Sequence, residues 1–100
     1  MLEIRKCQAY DTWFAGLRDF EAAARINVRI RRLSLGHPGD VRPVGEGVSV
    51  LRIDYGPGYR AYYVQRRQII VVLLCGGVKK TQDRGIAKAK ILAKDWTDDA

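Results

Sequence analysis

Apolar and polar positions alternate through residues 48–82 in a way that predicts three strands in succession. Over residues 48–54, Leu51 and Ile53 alternate with Val50, Arg52 and Asp54, so the two sets point to opposite faces. The next run sets Arg60, Tyr62 and Val64 on one face and Tyr59, Ala61 and Tyr63 on the other. Tyr55-Gly56-Pro57-Gly58 supplies the turn between them, with glycines free to take positive φ and a proline whose φ is fixed. Pairing Asp54 with Arg60 across this hairpin would set Arg52 opposite Tyr62 and bring all four side chains to one face. Residues 69–75 are apolar without a break, the pattern of a strand covered on both sides, and Gly76-Gly77 are expected to end it.

Upstream the period lengthens. Leu2, Ile4 and Cys7, set among charged residues, predict a short first strand. Asp11 is the expected N-cap of a helix holding Trp13, Phe14 and Leu17. A second helix takes over around residues 18–20, with Ala23, Ile26, Ile30 and Leu33 on its apolar face and Gly36 at its end. Arg25, Arg29 and Arg32 follow the same spacing on another face, and two readings of them stay open: a solvated stripe, or contacts to a partner or a phosphate backbone. Residues 36–47, GHPGDVRPVGEG, read as a loop, and His37 within it is expected to be exposed and idle rather than a general base. Thr81 can cap a last helix, with Ile86, Ala89, Ala93 and Trp96 facing inward and Lys88, Lys90 and Lys94 facing water. The order strand, helix, helix, three strands, helix predicts one α+β domain over residues 1–100: a mostly antiparallel sheet with helices packed against it.

Composition narrows the partners. With 18 Lys+Arg against 11 Asp+Glu the net charge is +7, which favours a nucleic acid, an acidic protein or an anionic surface. No apolar run approaches the roughly 18–20 residues of a spanning helix, and MLEIRKC lacks the apolar core of a signal peptide, so a cytoplasmic protein without a membrane partner is expected. Two cysteines, Cys7 and Cys75, in apolar strand-like runs, with a single histidine, argue against a zinc site, and reduced cytosolic thiols argue against a disulfide. No cofactor is expected. Gly76-Gly77 lack the spacing and the Lys-Ser/Thr ending of a phosphate loop.

The segments LRDFEAAARINVRIRRLSLGHPGDVRPVGEGVSVLRIDYGPGYRAYYVQ and VVLLCGGVKKTQDRGIAKAK, with the early tryptophan, span nearly the whole chain. In sequence and order of elements they resemble the RelE/ParE superfamily of toxins from type II toxin–antitoxin modules, and more closely the HigB-like, phage-derived subgroup of addiction module killer proteins. The resemblance implies a RelE-like, microbial-RNase-like fold. It also implies an endoribonuclease that cuts mRNA in the ribosomal A site without a metal. The expected partners are the ribosome and mRNA, a cognate antitoxin of helix-turn-helix type, and operator DNA through the antitoxin complex. By position, Arg60 after Gly58-Tyr59 matches the strand arginine used on the scissile phosphate, Arg52 the basic residue of the preceding strand, and Lys80, with Lys79 beside it, the basic position after the last strand. Two departures stand out: Ile86 occupies the place of a catalytic helix tyrosine, and Val50 that of a second strand lysine.

RNA cleavage by a neighbouring 2′-hydroxyl asks the protein for positioning, charge stabilisation and proton transfer. A guanidinium donates two parallel hydrogen bonds to phosphate oxygens, which suits Arg60 with Arg52 assisting. Proton transfer falls to Lys80, with Asp54 and Glu46 as alternative acceptors, although Asp54 would serve equally to neutralise Arg60. Tyr62 and Tyr55 are candidates to stack on a base unless they belong to the core. Lys79 and Arg66 complete the expected RNA-binding set. Two other readings compete: a ParE-like toxin that binds DNA gyrase without cutting RNA, and an inactive basic module that only binds its antitoxin.

Overall fold

Four antiparallel strands in succession, one more than expected, make up most of the sheet: β2 (Val41–Gly45), β3 (Val48–Ile53), β4 (Tyr59–Arg66) and β5 (Ile70–Val78). β1 (Glu3–Lys6) joins from the far end of the chain and pairs parallel to β5, giving the order β1-β5-β4-β3-β2. Three helices, α1 (Gln8–Ala15), α2 (Phe20–Ser34) and α3 (Gln82–Asp95), complete an α+β fold with a mixed sheet. The computed structural model describes residues 1–96. No helix among them is long and apolar enough to cross a membrane.

The added strand corrects the loop expected over residues 36–47. β2 pairs with β3 from Val41↔Leu51 to Gly45↔Val48, and the register shifts between Pro43 and Gly45. A proline is tolerated there because β2 is an edge strand whose outer side needs no donor.

Strand parity sorts the core into two layers. Leu51, Ile53, Tyr59, Ala61 and Tyr63 point to the side covered by α1 and α2, where they meet Tyr10, Ile26 and Leu33. Val48, Val50, Tyr62 and Val64 point to the opposite side, where Ala89 and Ala93 of α3 pack. In β5 the alternation is interrupted: Cys75 pairs with Tyr62 and Leu73 with Tyr63, so Leu74 is an extra residue, and both Leu74 and Cys75 face α3. This bulge resets the phase of everything after it. Gly76 consequently faces the α1 side, where an added Cβ would lie 2.2 Å from the Trp13 ring, and Gly77 pairs with Arg60. The two glycines, expected to end the strand, lie within it, paired with Ala61 and Arg60, and the Trp13 ring occupies the space a side chain at the first would need.

The helix ends follow local chemistry. Asp19 caps α2 by accepting from the backbone N–H groups of Glu21 and Ala22. Gly36, at φ 88°, closes it: its N–H donates to Leu33 O at 3.0 Å and the His37 N–H to Arg32 O at 2.8 Å. α1 begins one turn earlier than expected, so Asp11 sits inside its first turn and Cys7 takes the cap position. Cys7 and Cys75 are free thiols. Burial raises both, Cys75 to about 11, which keeps them protonated and unreactive.

α3 lies unusually close to β4. A Cβ at Gly85 would come within 2.6 Å of the Tyr62 hydroxyl, so the bare backbone lets the helix settle on the ring. Thr81 precedes the helix as expected, but its hydroxyl donates to Val78 O at 3.3 Å and leaves the first turn of α3 without a side-chain cap.

Candidate functional site

Arg52 and Arg60 pair directly across β3 and β4, two residues from the expected Arg52–Tyr62 pairing. A shift of two residues keeps every side chain on its face, so Arg52, Arg60 and Tyr62 still share one side of the sheet. Asp54 drops out of the ladder into the turn. Two cations placed opposite one another repel, and each therefore needs a group to hold it.

Arg52 is held by a residue that sequence reasoning missed. Its Nε and Nη2 donate to Asp40 Oδ1 at 3.0 and 2.6 Å, and its backbone N–H donates to Asp40 O at 2.9 Å. Arg29 of α2 braces the same corner: Nη1 donates to Arg52 O at 2.5 Å, and Nη2 to Pro38 O and Asp40 O at 3.0 and 3.2 Å. One member of the arginine stripe is thus structural. The hydrogen bond from Arg52, reinforced by the charges of Arg52, Arg29 and Arg42, holds the Asp40 carboxyl below the ordinary aspartate range.

Arg60 is held differently. Only 7% exposed, it donates from Nε to Gln82 Oε1 at 2.7 Å and from Nη1 to its neighbour Tyr59 O at 3.1 Å. Both acceptors are neutral, and its Nη2 takes no hydrogen bond among the described residues. Gln82, the first residue of α3, was also missed; its one sequence signal is its place directly after Lys79-Lys80-Thr81.

The two arginines, Lys79, Lys80, Gln82 and Asp83 line an open cleft of about 300 Å³. Past Arg60 it continues beside Asp40, Asp54 and Gly58. Lys79 and Lys80 stand exposed on a 3-10 turn, which is tied to the hairpin where the Lys79 N–H donates to Gly58 O at 2.7 Å. Gly58 takes φ 80°, and an added Cβ would press on Lys79 Cβ at 3.3 Å. The structure therefore brings together Arg52, Arg60, Lys79 and Lys80, with Asp54 at the margin.

The remaining candidates lie elsewhere. Tyr62 is fully buried and packs under α3, where its hydroxyl donates to Gln82 O at 3.4 Å and burial pushes it up to about 12. It supports Gln82 from below and offers no face to a base. Tyr55 belongs to the α2 side: the Arg25 guanidinium lies 4.6 Å from its ring centroid, and its hydroxyl leans toward Asp19. Arg66 leaves the same face of β4 as Arg60 but about 20 Å further along the strand. There its Nη2 donates to Ala93 O at 2.8 Å. Glu46 sits in the β2–β3 turn, 3.6 Å from Lys90 and 3.4 Å from Lys94. Ile86 and Val50 pack in the α3-side core and take no part in the cleft.

The chain is 44% identical over 94 residues to an uncharacterized protein of Haemophilus influenzae, an alignment that covers 94% of this chain and 95% of that protein. No protein-family model and no solved structure matches it.

Proposed function

The chain belongs to the same family as the uncharacterized Haemophilus influenzae protein, and we propose that it is a RelE-like toxin of a type II toxin–antitoxin module that cleaves ribosome-bound mRNA without a metal. The observation that carries this reading is Arg60: among the described residues, a buried guanidinium with neutral acceptors only and an Nη2 that makes no hydrogen bond, with three further cations around the same cleft. A buried cation without a carboxylate is costly unless an anion completes the site. A phosphate does so with two parallel hydrogen bonds.

With RNA in the cleft, the 2′-hydroxyl attacks its neighbouring phosphorus and the 5′-oxygen leaves. Arg60 stabilises the charge gathering on the non-bridging oxygens, Arg52 assists from the opposite strand, and the positive end of α3 adds to both. The proton released by the attacking 2′-hydroxyl passes by way of Lys80, exposed and unpaired among the described residues, to the leaving 5′-oxygen. Gln82 positions Arg60 and does not touch the substrate. Under this reading the protein works in the cytoplasm, a helix-turn-helix antitoxin neutralises it, and their complex meets operator DNA.

The test is induction in cells with primer extension on a reporter transcript, beside an Arg60→Ala variant. New transcript ends that vanish in the variant are expected; growth arrest without new ends, or equal toxicity from the variant, would sink the proposal. Tyr62 is buried and an isoleucine stands at position 86, so among the described residues neither β4 nor the first turns of α3 present an aromatic to the cleft, which favours a ParE-like action on gyrase as the second reading. Inhibition of supercoiling by the purified protein would select it.

A further inference from the structure

Arg52 and Arg60 stand opposite one another in one cleft, yet different groups answer them. The Nε of Arg60 donates to an amide oxygen, Gln82 Oε1, at 2.7 Å. The Nε of Arg52 donates to a carboxylate oxygen, Asp40 Oδ1, at 3.0 Å, and its Nη2 reaches the same oxygen at 2.6 Å. An amide and a carboxylate have nearly the same shape and both accept from a guanidinium. Holding Arg52 in place therefore calls for neither one in particular, and what the carboxylate adds is charge.

That charge lies inside the cleft. Asp40 stands at the bend before β2 and lines the arm that continues past Arg60. Its backbone is pinned, because Asp40 O accepts from the Arg52 N–H at 2.9 Å and from Arg29 Nη2 at 3.2 Å. Its side chain is much freer: it is 50% exposed and that of Arg52 31%, and an ion pair as wet as this contributes little to stability. Both donors of Arg52 also share one carboxylate oxygen, whereas a phosphate offers them one each. The carboxylate can turn aside for a phosphate without disturbing the backbone of β2 or β3.

We infer that Asp40 is a specificity-determining residue that competes with the substrate phosphate for Arg52. RNA enters on Arg60, Lys79 and Lys80, and it gains Arg52 only by displacing the Asp40 carboxylate. The inference rests on the cleft being the RNA site and deepens that reading. Its consequence is a cleft that holds RNA less tightly than its cations would allow, and that favours a ligand presenting phosphate to both arginines over one that meets Arg60 alone. A residue that merely aimed Arg52 would have the opposite effect, since losing it would weaken binding or leave it unchanged.

The experiment is fluorescence anisotropy with a single-stranded RNA of about 10 nucleotides, 2′-O-methylated so that it cannot be cut, titrated over a range of salt concentrations. Asp40→Asn gives Arg52 the kind of neutral acceptor that Arg60 already has. It should tighten binding by about threefold to tenfold and steepen the salt dependence by about 0.7 in log–log slope, one further phosphate contact. Gln82→Glu, which sets a carboxylate on Arg60, should weaken binding by about the same factor. Asp54→Asn removes an equal charge from the same arm without changing the acceptor of Arg52, and should gain less and leave the slope nearly as it is. The inference is overturned if Asp40→Asn weakens binding or leaves it unchanged, if Asp54→Asn matches its gain, or if Gln82→Glu binds as tightly as the parent. Tighter binding by Asp40→Asn with no new transcript ends in cells would uphold the competition and sink the cleavage, new ends without tighter binding would do the reverse, and no RNA binding by any of the four proteins would overturn both.

Discussion

Arg60 and Arg66 leave the same face of β4 and meet opposite ends of α3, and the two ends treat them differently. Arg66 donates to the Ala93 carbonyl in the last turns of the helix, where the helix dipole is negative, and nearby Lys90 and Lys94 share Glu46. Arg60 meets the first residue of the helix, where the dipole is positive, and receives an amide oxygen in place of a carboxylate. Lys79 and Lys80 stand beside it. One end of α3 uses cations to hold the helix; the other maintains positive charge against the helix's own field. A group kept where it costs stability has a task other than stability, and that contrast separates the cleft from the rest of a basic molecule.

The comparison can be broken most sharply at Arg60. Replacing it by methionine, of similar volume, should lower RNA cleavage by about 10²–10³ while the thermal midpoint holds or rises, because a buried charge gives way to an apolar side chain. A clear fall in the midpoint would mean that Arg60 is structural after all. Gly85→Ala comes next. Its added Cβ meets the Tyr62 ring and lifts the first turn of α3 off the sheet, for a loss of about 2 kcal/mol in urea unfolding and weaker RNA binding through Gln82. Arg66→Met should remove about 1 kcal/mol of stability and leave RNA cleavage intact, the mirror image of Arg60→Met. The smallest effect belongs to Asp40. Its carboxyl is depressed in the folded protein, so its contribution is present in full above the ordinary aspartate range and is lost as the pH falls below it. Asp40→Asn should therefore lower the neutral plateau of a stability–pH curve slightly, and the difference from the parent protein should vanish as the pH falls below the aspartate range, which flattens the acid limb.

The difference between the two arginines was only half legible in the sequence. Alternation put Arg52, Arg60 and Tyr62 on one face correctly, because a register error of two residues does not change parity. The identity of each partner depended on that register, and on a five-residue turn that takes Asp54 out of the ladder. β2 was hidden by Pro43 and its flanking glycines, which read as loop wherever an edge strand tolerates them. Asp40 reaches Arg52 only because β2 folds back along β3, so a strand unseen left its neighbour's contacts unseen too. The β5 bulge leaves no mark on an unbroken apolar run, yet it decides which way Gly76 and Gly77 face. Arg66 was assigned by charge and strand alone, and charge carries no information about which end of a helix it will meet.

β1 leaves the ribosome before the other described strands, yet its partner is β5, with Glu3 set beside Ile70 and Lys6 beside Leu73. During synthesis the sheet cannot close until β5 has emerged, and Gln82, which holds Arg60, follows later still. Contacts this distant in sequence form slowly and late. A nascent chain thus carries Arg52 and Arg60 without the arrangement that holds them, and the cleft is complete only once Gln82 has joined Arg60.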